Sequence, residues 1–138
     1  MASIVCDLGV LVDSRLTFRD HIKSVVFLSH LSNANMALIL CKDIDVLIKA
    51  FTTYVRPLLE YCSPVWSPMS VTLVNDLDVQ RRFTKRLLGF NLFTYDDRCA
   101  RLGTDRLELR RLHAALILCY NILHGLISLS SEDFYHCS

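Results

Sequence analysis

Glycine and proline are scarce, four and three among 138 residues, which excludes a collagen-like chain and argues against disorder. The glycines, Gly9, Gly89, Gly103 and Gly125, stand alone, so no glycine-rich loop exists to cradle a phosphate. No nucleophile elbow and no H-E-x-x-H occurs. Six cysteines (Cys6, Cys41, Cys62, Cys99, Cys119, Cys137) include no C-x-x-C and no zinc-ligand spacing to histidine. They read as reduced, mostly buried thiols of an intracellular protein, cytoplasmic or nuclear. The five histidines are scattered, and His136 beside Cys137 belongs to a tail. Residues 1–12 lack the basic start of a secretory leader and carry Asp7 within the apolar stretch.

Apolar residues are abundant: 52% of the chain, with mean hydropathy +0.34. This implies either a large core or an apolar surface that expects a partner. Residues 114–131 contain no Asp, Glu, Lys or Arg and reach the about 18-residue length of a candidate span. Asn121, His124, Gly125 and the serines that follow would be costly in lipid, so this stretch reads as a buried helix and no membrane is expected.

A net charge of +1 conceals segregation. Residues 1–78 carry six basic against eight acidic side chains, residues 79–111 nine against four, and residues 112–138 none against two. The basic middle is the part expected to meet a polyanion.

The chain length suits one domain with its own core. "SIVCDLGVLVD" is the single good strand, a buried one closed by Gly9 and the Asp13-Ser14 turn signal. Thr17 with Asp20 suggests a helix start, followed by Ile22, Val25, Val26 and Leu28 on an apolar side, with "NANMALILC" its continuation. From Asp43 or Asp45 a helix places Leu47, Phe51, Tyr54, Val55 and Leu58 together until Pro57 kinks or restarts it. Residues 62–68 form a connecting loop that carries the only tryptophan, Trp66.

"SVTLVNDLDVQRRFTKRLLGF" predicts one helix ended by Gly89. Its apolar arc holds Val74, Leu77, Val79, Phe83, Leu87 and Leu88. Arg82, Lys85 and Arg86 fall opposite, and Arg81 lies near the apolar edge. These four are the candidate nucleic-acid-binding residues. The arginines that follow (Arg98, Arg101, Arg106, Arg110, Arg111) favour a phosphate-facing surface, since guanidinium forks match phosphate oxygens.

Within "NLFTYDDRCARLG", Tyr95-Asp96-Asp97 invites a metal-binding reading, because paired carboxylates hold the divalent ions of phosphoryl transfer. Such a site wants an aromatic two residues before the first Asp, where Thr94 stands here. Thr94 with Asp97 instead forms a capping-box variant, with acids at the positive and arginines at the negative end of a two-turn helix. "TDRLELRRLHAALILCYNILHG" predicts the last helix, capped by Asp105 and ended by Gly125. Leu109, Leu112, Leu116, Cys119, Leu123 and Leu126 form its heptad-like seam, assigned to core packing.

Four ordered blocks, "DLGVLVDSRLTFRDHI", "YVRPLLEYCSPVWSP", "VQRRFTKRLLGF" and "LELRRLHAALILCYNILHG", resemble the region after the catalytic palm in reverse transcriptases of non-LTR (LINE-type, jockey and CR1-like) retrotransposons. The resemblance covers about residues 7–125. It implies a mainly α fold, with a short N-terminal strand and a bundle of about four to five helices. Residues 1–16 would be a remnant strand and turn of the palm side, 17–125 the helical thumb and post-thumb region, and 126–138 a loosely ordered tail.

In function, the resemblance implies a non-catalytic fragment of an RNA-directed DNA polymerase that contacts the backbone of an RNA/DNA or DNA duplex and packs against the remainder of the enzyme. The family's metal-binding Asp-Asp motif is absent, so no catalytic residue, metal ligand or cofactor is assigned here, and Mg2+ is expected only for the full-length polymerase. The chain departs from the family at Ala115, where an acid is common, and in the neutral "NANMALIL". Two alternatives accompany this reading: a helical protein-interaction module packing against a missing polymerase domain, and a decayed relic without activity.

Overall fold

The computed structural model describes residues 3–38, 42–68 and 70–129, with side chains at 36–38 left aside. It is mainly helical, with an antiparallel hairpin at its N-terminus. β1 (Ile4–Asp7) pairs with β2 (Val10–Asp13) in the register Ile4 opposite Asp13 and Asp7 opposite Val10. The single strand expected here is therefore two. Leu8 and Gly9, with φ of +45° and +86°, make the two-residue turn whose twist suits a hairpin. The tip is tied down by Tyr61, whose hydroxyl donates to the Leu8 carbonyl at 2.8 Å. β1 is exposed throughout, and of the hairpin only Val10 is fully buried, which corrects the buried-strand expectation.

Asp13 organises the turn into α1 (Arg19–Leu38). Its carboxylate accepts from the backbone of Arg15, Thr17 and Phe18 and from the Thr17 hydroxyl at 2.7 Å. Thr17 thus donates to Asp13 rather than capping α1, and the first helical carbonyl to accept is that of Phe18. These bonds, led by that from the Thr17 hydroxyl, hold the Asp13 carboxyl below its usual value. α1 buries Ile22, Val25 and Ser29, at steps of 3 and 4, whereas Leu28 turns outward. The helix does continue through "NANMAL", while residues 39–41 lie outside the described residues.

α2 (Ile44–Ala50) starts at Asp43, whose side chain accepts from the Asp45 amide. It runs into a π-helical turn (Phe51–Val55) and then α3 (Arg56–Glu60). The Arg56 amide reaches back five residues to the Phe51 carbonyl, so the expected disturbance at Pro57 takes the form of a widened turn just before it. Phe51, Val55 and Leu59 face the core; Tyr54 is exposed.

Cys62, at φ +51°, redirects the chain into α4 (Ser63–Trp66), a short helical turn where a loop is expected. Trp66 is 1% exposed and donates its indole N–H to the Tyr61 carbonyl at 2.7 Å. Its ring meets His21 edge-on at 5.2 Å.

The one helix expected over residues 70–90 is broken in two, α5 (Val71–Asp76) and α6 (Val79–Arg86). On a continuous helix Leu77 and Val79 would point about 200° apart. The break buries both, each 1% exposed. Val74 and Leu88, assigned to the apolar arc, are exposed in consequence. Helix α6 ends before Leu87, and Gly89 occupies the third position of the turn from Leu87 to Phe90, at φ +79°, rather than directly following the helix.

α7 (Tyr95–Arg101) and α8 (Leu107–Leu123) both end in a Schellman motif. Thr104 and Gly103 donate to the Cys99 and Ala100 carbonyls, and Leu126 and Gly125 to those of Asn121 and Ile122. Arg106, not Asp105, precedes the first turn of α8, without a side-chain cap.

The seam of α8 is rotated from its expected direction. Leu107, Arg111 and Ile122 face inward, with Ala114, Ala115 and Leu118 half-buried. Leu109, Leu112, Leu116, Leu123 and Leu126 are exposed, and Cys119 is half-buried. Helix α8 packs against α4, and its inward side carries small as well as large residues.

The core gathers the hairpin's Val10, Ile22 and Val25 of α1, Phe51, Val55 and Leu59, Trp66, and Leu77, Val79 and Leu107. Phe83 of α6 stacks on Phe51 at 4.4 Å and 14°. Of the cysteines, Cys99 is buried, Cys62 half-buried and Cys6 exposed; Cys41 and Cys137 lie outside the described residues, as do residues 130–138 of the expected tail. Among the described residues no helix is long and apolar enough to cross a membrane.

Candidate nucleic-acid interface

Arg81, Arg82, Lys85 and Arg86 are all exposed along α6. The buried Val79, Gln80 and Thr84, with half-buried Phe83, anchor the helix and fix that outward direction. The structure brings Arg81, Arg82 and Lys85 together with the segment 91–95 around an open groove of about 510 Å³, lined also by Asn91, Phe93, Thr94, Tyr95 and Arg98. Arg86 lies outside the groove.

The four cations differ in how much of their charge is committed. Arg82 donates from Nη2 to the carbonyls of Asn75 and Asp76, both at 2.8 Å, and from Nε to that of Asp78. It thereby satisfies the carbonyl end of α5, and only its Nη1 donors remain for another acceptor. Arg81 pairs with Asp78 at 3.5 Å and lies 5.7 Å from the Tyr95 ring centre. Lys85 and Arg86 form no hydrogen bond or ion pair among the described residues. His30 on α1 has its imidazole pKa lowered, first by burial and then by the charges of Arg82 and Arg86.

The floor of the groove is a buried arginine. Arg98, 4% exposed, donates to the Thr84 hydroxyl at 3.1 Å, the Phe93 carbonyl at 2.6 Å and the Arg81 carbonyl at 3.4 Å. It therefore ties α6, the 91–95 segment and α7 together.

The other arginines are committed as well. Arg101 stacks over Phe93 at 4.0 Å, Arg106 pairs with Asp96 at 3.2 Å, and Arg110 pairs with Glu60. Arg111 is buried, its pKa lowered by desolvation. Of the five arginines expected to face phosphate, Arg98 and Arg111 are thus buried and Arg110 is half-buried, while Arg101 and Arg106 are exposed but engaged with neighbours. Composition alone does not separate the two uses; the inward stripe of α8, on which Arg111 lies four residues after Leu107, offers one signal.

Tyr95, Asp96 and Asp97 open α7 as the capping pattern predicts. The Thr94 hydroxyl accepts from the Asp97 amide at 3.2 Å and donates to the Asp97 carboxylate at 2.7 Å. Burial pushes the Tyr95 phenol well above its usual value. Among the described residues, no three His, Cys, Asp or Glu side chains cluster so as to hold a metal ion.

Behind the groove lies a polar seam that the sequence did not disclose. Gln80 of α6 is 2% exposed and donates to the Asp105 carbonyl at 2.8 Å, linking α6 to the entry of α8. Burial raises the Cys99 thiol pKa beside it.

Comparison with protein-family models finds no match, and no solved structure matches the chain. A Caenorhabditis elegans chain described as uncharacterized protein B0403.1 is 28% identical over 134 residues, covering 88% of this chain and 64% of the relative. The chain thus spans less than two thirds of the relative's length.

Proposed function

We propose that this chain is a non-catalytic, thumb-like piece of an RNA-directed DNA polymerase of the non-LTR retrotransposon type, whose biochemical role is to hold the backbone of an RNA/DNA or DNA duplex. The observation that carries the reading is the groove between α6 and residues 91–95, where Arg81, Arg82 and Lys85 converge on one open side. Lys85 supplies the principal phosphate contact within the groove and Arg86 a second one from the exposed helix surface outside it, Arg81 and the Nη1 donors of Arg82 assist, and Arg98 holds the floor. Contacts of this kind position a duplex without reading its sequence.

The test is fluorescence anisotropy with a labelled RNA/DNA duplex at 50 and 200 mM salt. Three phosphate contacts give a log–log slope near −2.7, or about 40-fold weaker binding across that range. Lys85→Ala with Arg86→Ala should flatten the slope by about two. Binding indifferent to salt, or unchanged in the double variant, overturns the proposal.

A further inference from the structure

The outward face of α8 is apolar. Leu109, Leu112, Leu116, Ile117, Tyr120 and Leu123 are between 39% and 61% exposed, and Leu126 follows at 64%. Together they leave on the order of 600 Å² of apolar residue surface in one stripe, the upper end of what a monomer leaves bare. A standard interface takes about 800 Å² from each partner, so the stripe with its rim approaches what a stable dimer needs.

We infer that this stripe is the self-association surface of the protein, and that its occupant is α8 of a second copy. A two-fold contact sets the same residues against themselves, so any net charge in its centre repels its own image. From Leu112 to Leu123 the helix has no Asp, Glu, Lys or Arg. The stripe is also close to symmetric about Leu116. An antiparallel crossing there sets Leu109 over Leu123 and Leu112 beside Tyr120, large apolar groups meeting large apolar groups at every step. His113, the only imidazole between Leu109 and Leu123, comes beside Tyr120 of the second copy, whose hydroxyl gives its ring N–H an acceptor.

A lipid surface fits less well. Interfacial helices carry Lys or Arg along the polar border. Here the nearest cations are engaged, Arg106 with Asp96 and Arg110 with Glu60, and none follows Arg111 on the helix.

Sedimentation equilibrium of the full chain from about 1 to 100 µM, without nucleic acid, tests this apart from the duplex reading. Wild type should show a monomer–dimer equilibrium. Leu116→Glu places two like charges at the two-fold and should raise the dissociation constant more than about tenfold. Leu116 is 56% exposed, so the fold should hold, as an unchanged far-ultraviolet CD spectrum would confirm. Leu116→Ala, with no charge, should weaken the dimer less. Leu88→Glu, an equally drastic change at a 78% exposed leucine beyond α6, should leave it intact. A wild type that stays monomeric at 100 µM, larger assemblies unaffected by Leu116→Glu, or equal weakening by the Leu88 and Leu116 changes would overturn the inference.

Discussion

Arg110 and Glu60, fifty residues apart in sequence, meet in a two-point ion pair: Nε donates to one carboxylate oxygen and Nη2 to the other at 3.1 Å. The pair joins α8 to the end of α3, and hydrogen bonding by Glu60 raises the Arg110 pKa. Its members are only partly exposed, at 36% and 25%, so it should exceed an ordinary surface pair. Glu60→Gln should cost about 1 kcal/mol, read as a lower urea midpoint at unchanged slope. Arg110→Lys should not restore it, because an ammonium cannot repeat the fork.

Thr94 should matter more than the acids it precedes. Thr94→Ala removes the cap of α7 and should destabilise the protein by about 1 kcal/mol in chemical denaturation. Asp96→Asn loses only an exposed pair with Arg106 and should change stability by less than about 0.5 kcal/mol. A primer-extension assay with Mg2+ should give no product for either variant or for wild type. Extension abolished by Asp96→Asn would reinstate the metal-site reading.

Arg82 and Lys85 should separate stability from binding. Arg82→Ala removes side-chain donors from three backbone carbonyls, of which those of Asn75 and Asp78 keep a backbone amide and that of Asp76 does not, and should lower the melting temperature by a few degrees, a loss of about 1 kcal/mol. Lys85→Ala should leave melting unchanged and weaken duplex binding. Equal melting temperatures would show that the Arg82 contacts hold nothing together.

His21 sets an acid limit. Burial lowers its imidazole pKa, and its Nδ1 accepts the Leu11 amide, so protonation there would break that bond. The unfolded chain takes up the proton first, near the ordinary value of about 6.5, so the stabilisation is complete above that pH and is lost as pH falls toward the folded pKa. His30 shifts in the same direction. The melting temperature should therefore fall by a few degrees from pH 7.5 to 5.5, and by less in His21→Gln. A melting temperature that rises on acidification would rule this out.

Local patterns were legible where capping chemistry is strong. The start of α7 at Thr94 and the end of α8 at Gly125 follow from side chains and φ preferences acting within a turn. The outward direction of Arg82, Lys85 and Arg86 followed from helical phase. Three other features depended on partners distant in the chain. The break at Leu77 and Asp78 satisfies a core built by α1 and the π turn, which periodicity alone does not record. The roles of Arg98 and Arg110 rest on Phe93, Thr84 and Glu60. In α8, Leu107, Arg111 and Ile122 turn inward in place of a more hydrophobic leucine stripe, a choice that depends on the rest of the fold and that periodicity alone does not record.

The widened turn at Phe51–Val55 holds one residue more than an α-helical turn would need. Deleting a residue there should restore α-helical spacing between α2 and α3, with a kink remaining at Pro57, and leave Leu59 directed toward the core. Elsewhere in the same helix, a one-residue loss would swing Leu59 about 100° away from the core. This segment is therefore where the lineage can gain or lose a single codon and retain its architecture, and where alignments of its relatives should show an isolated one-residue gap.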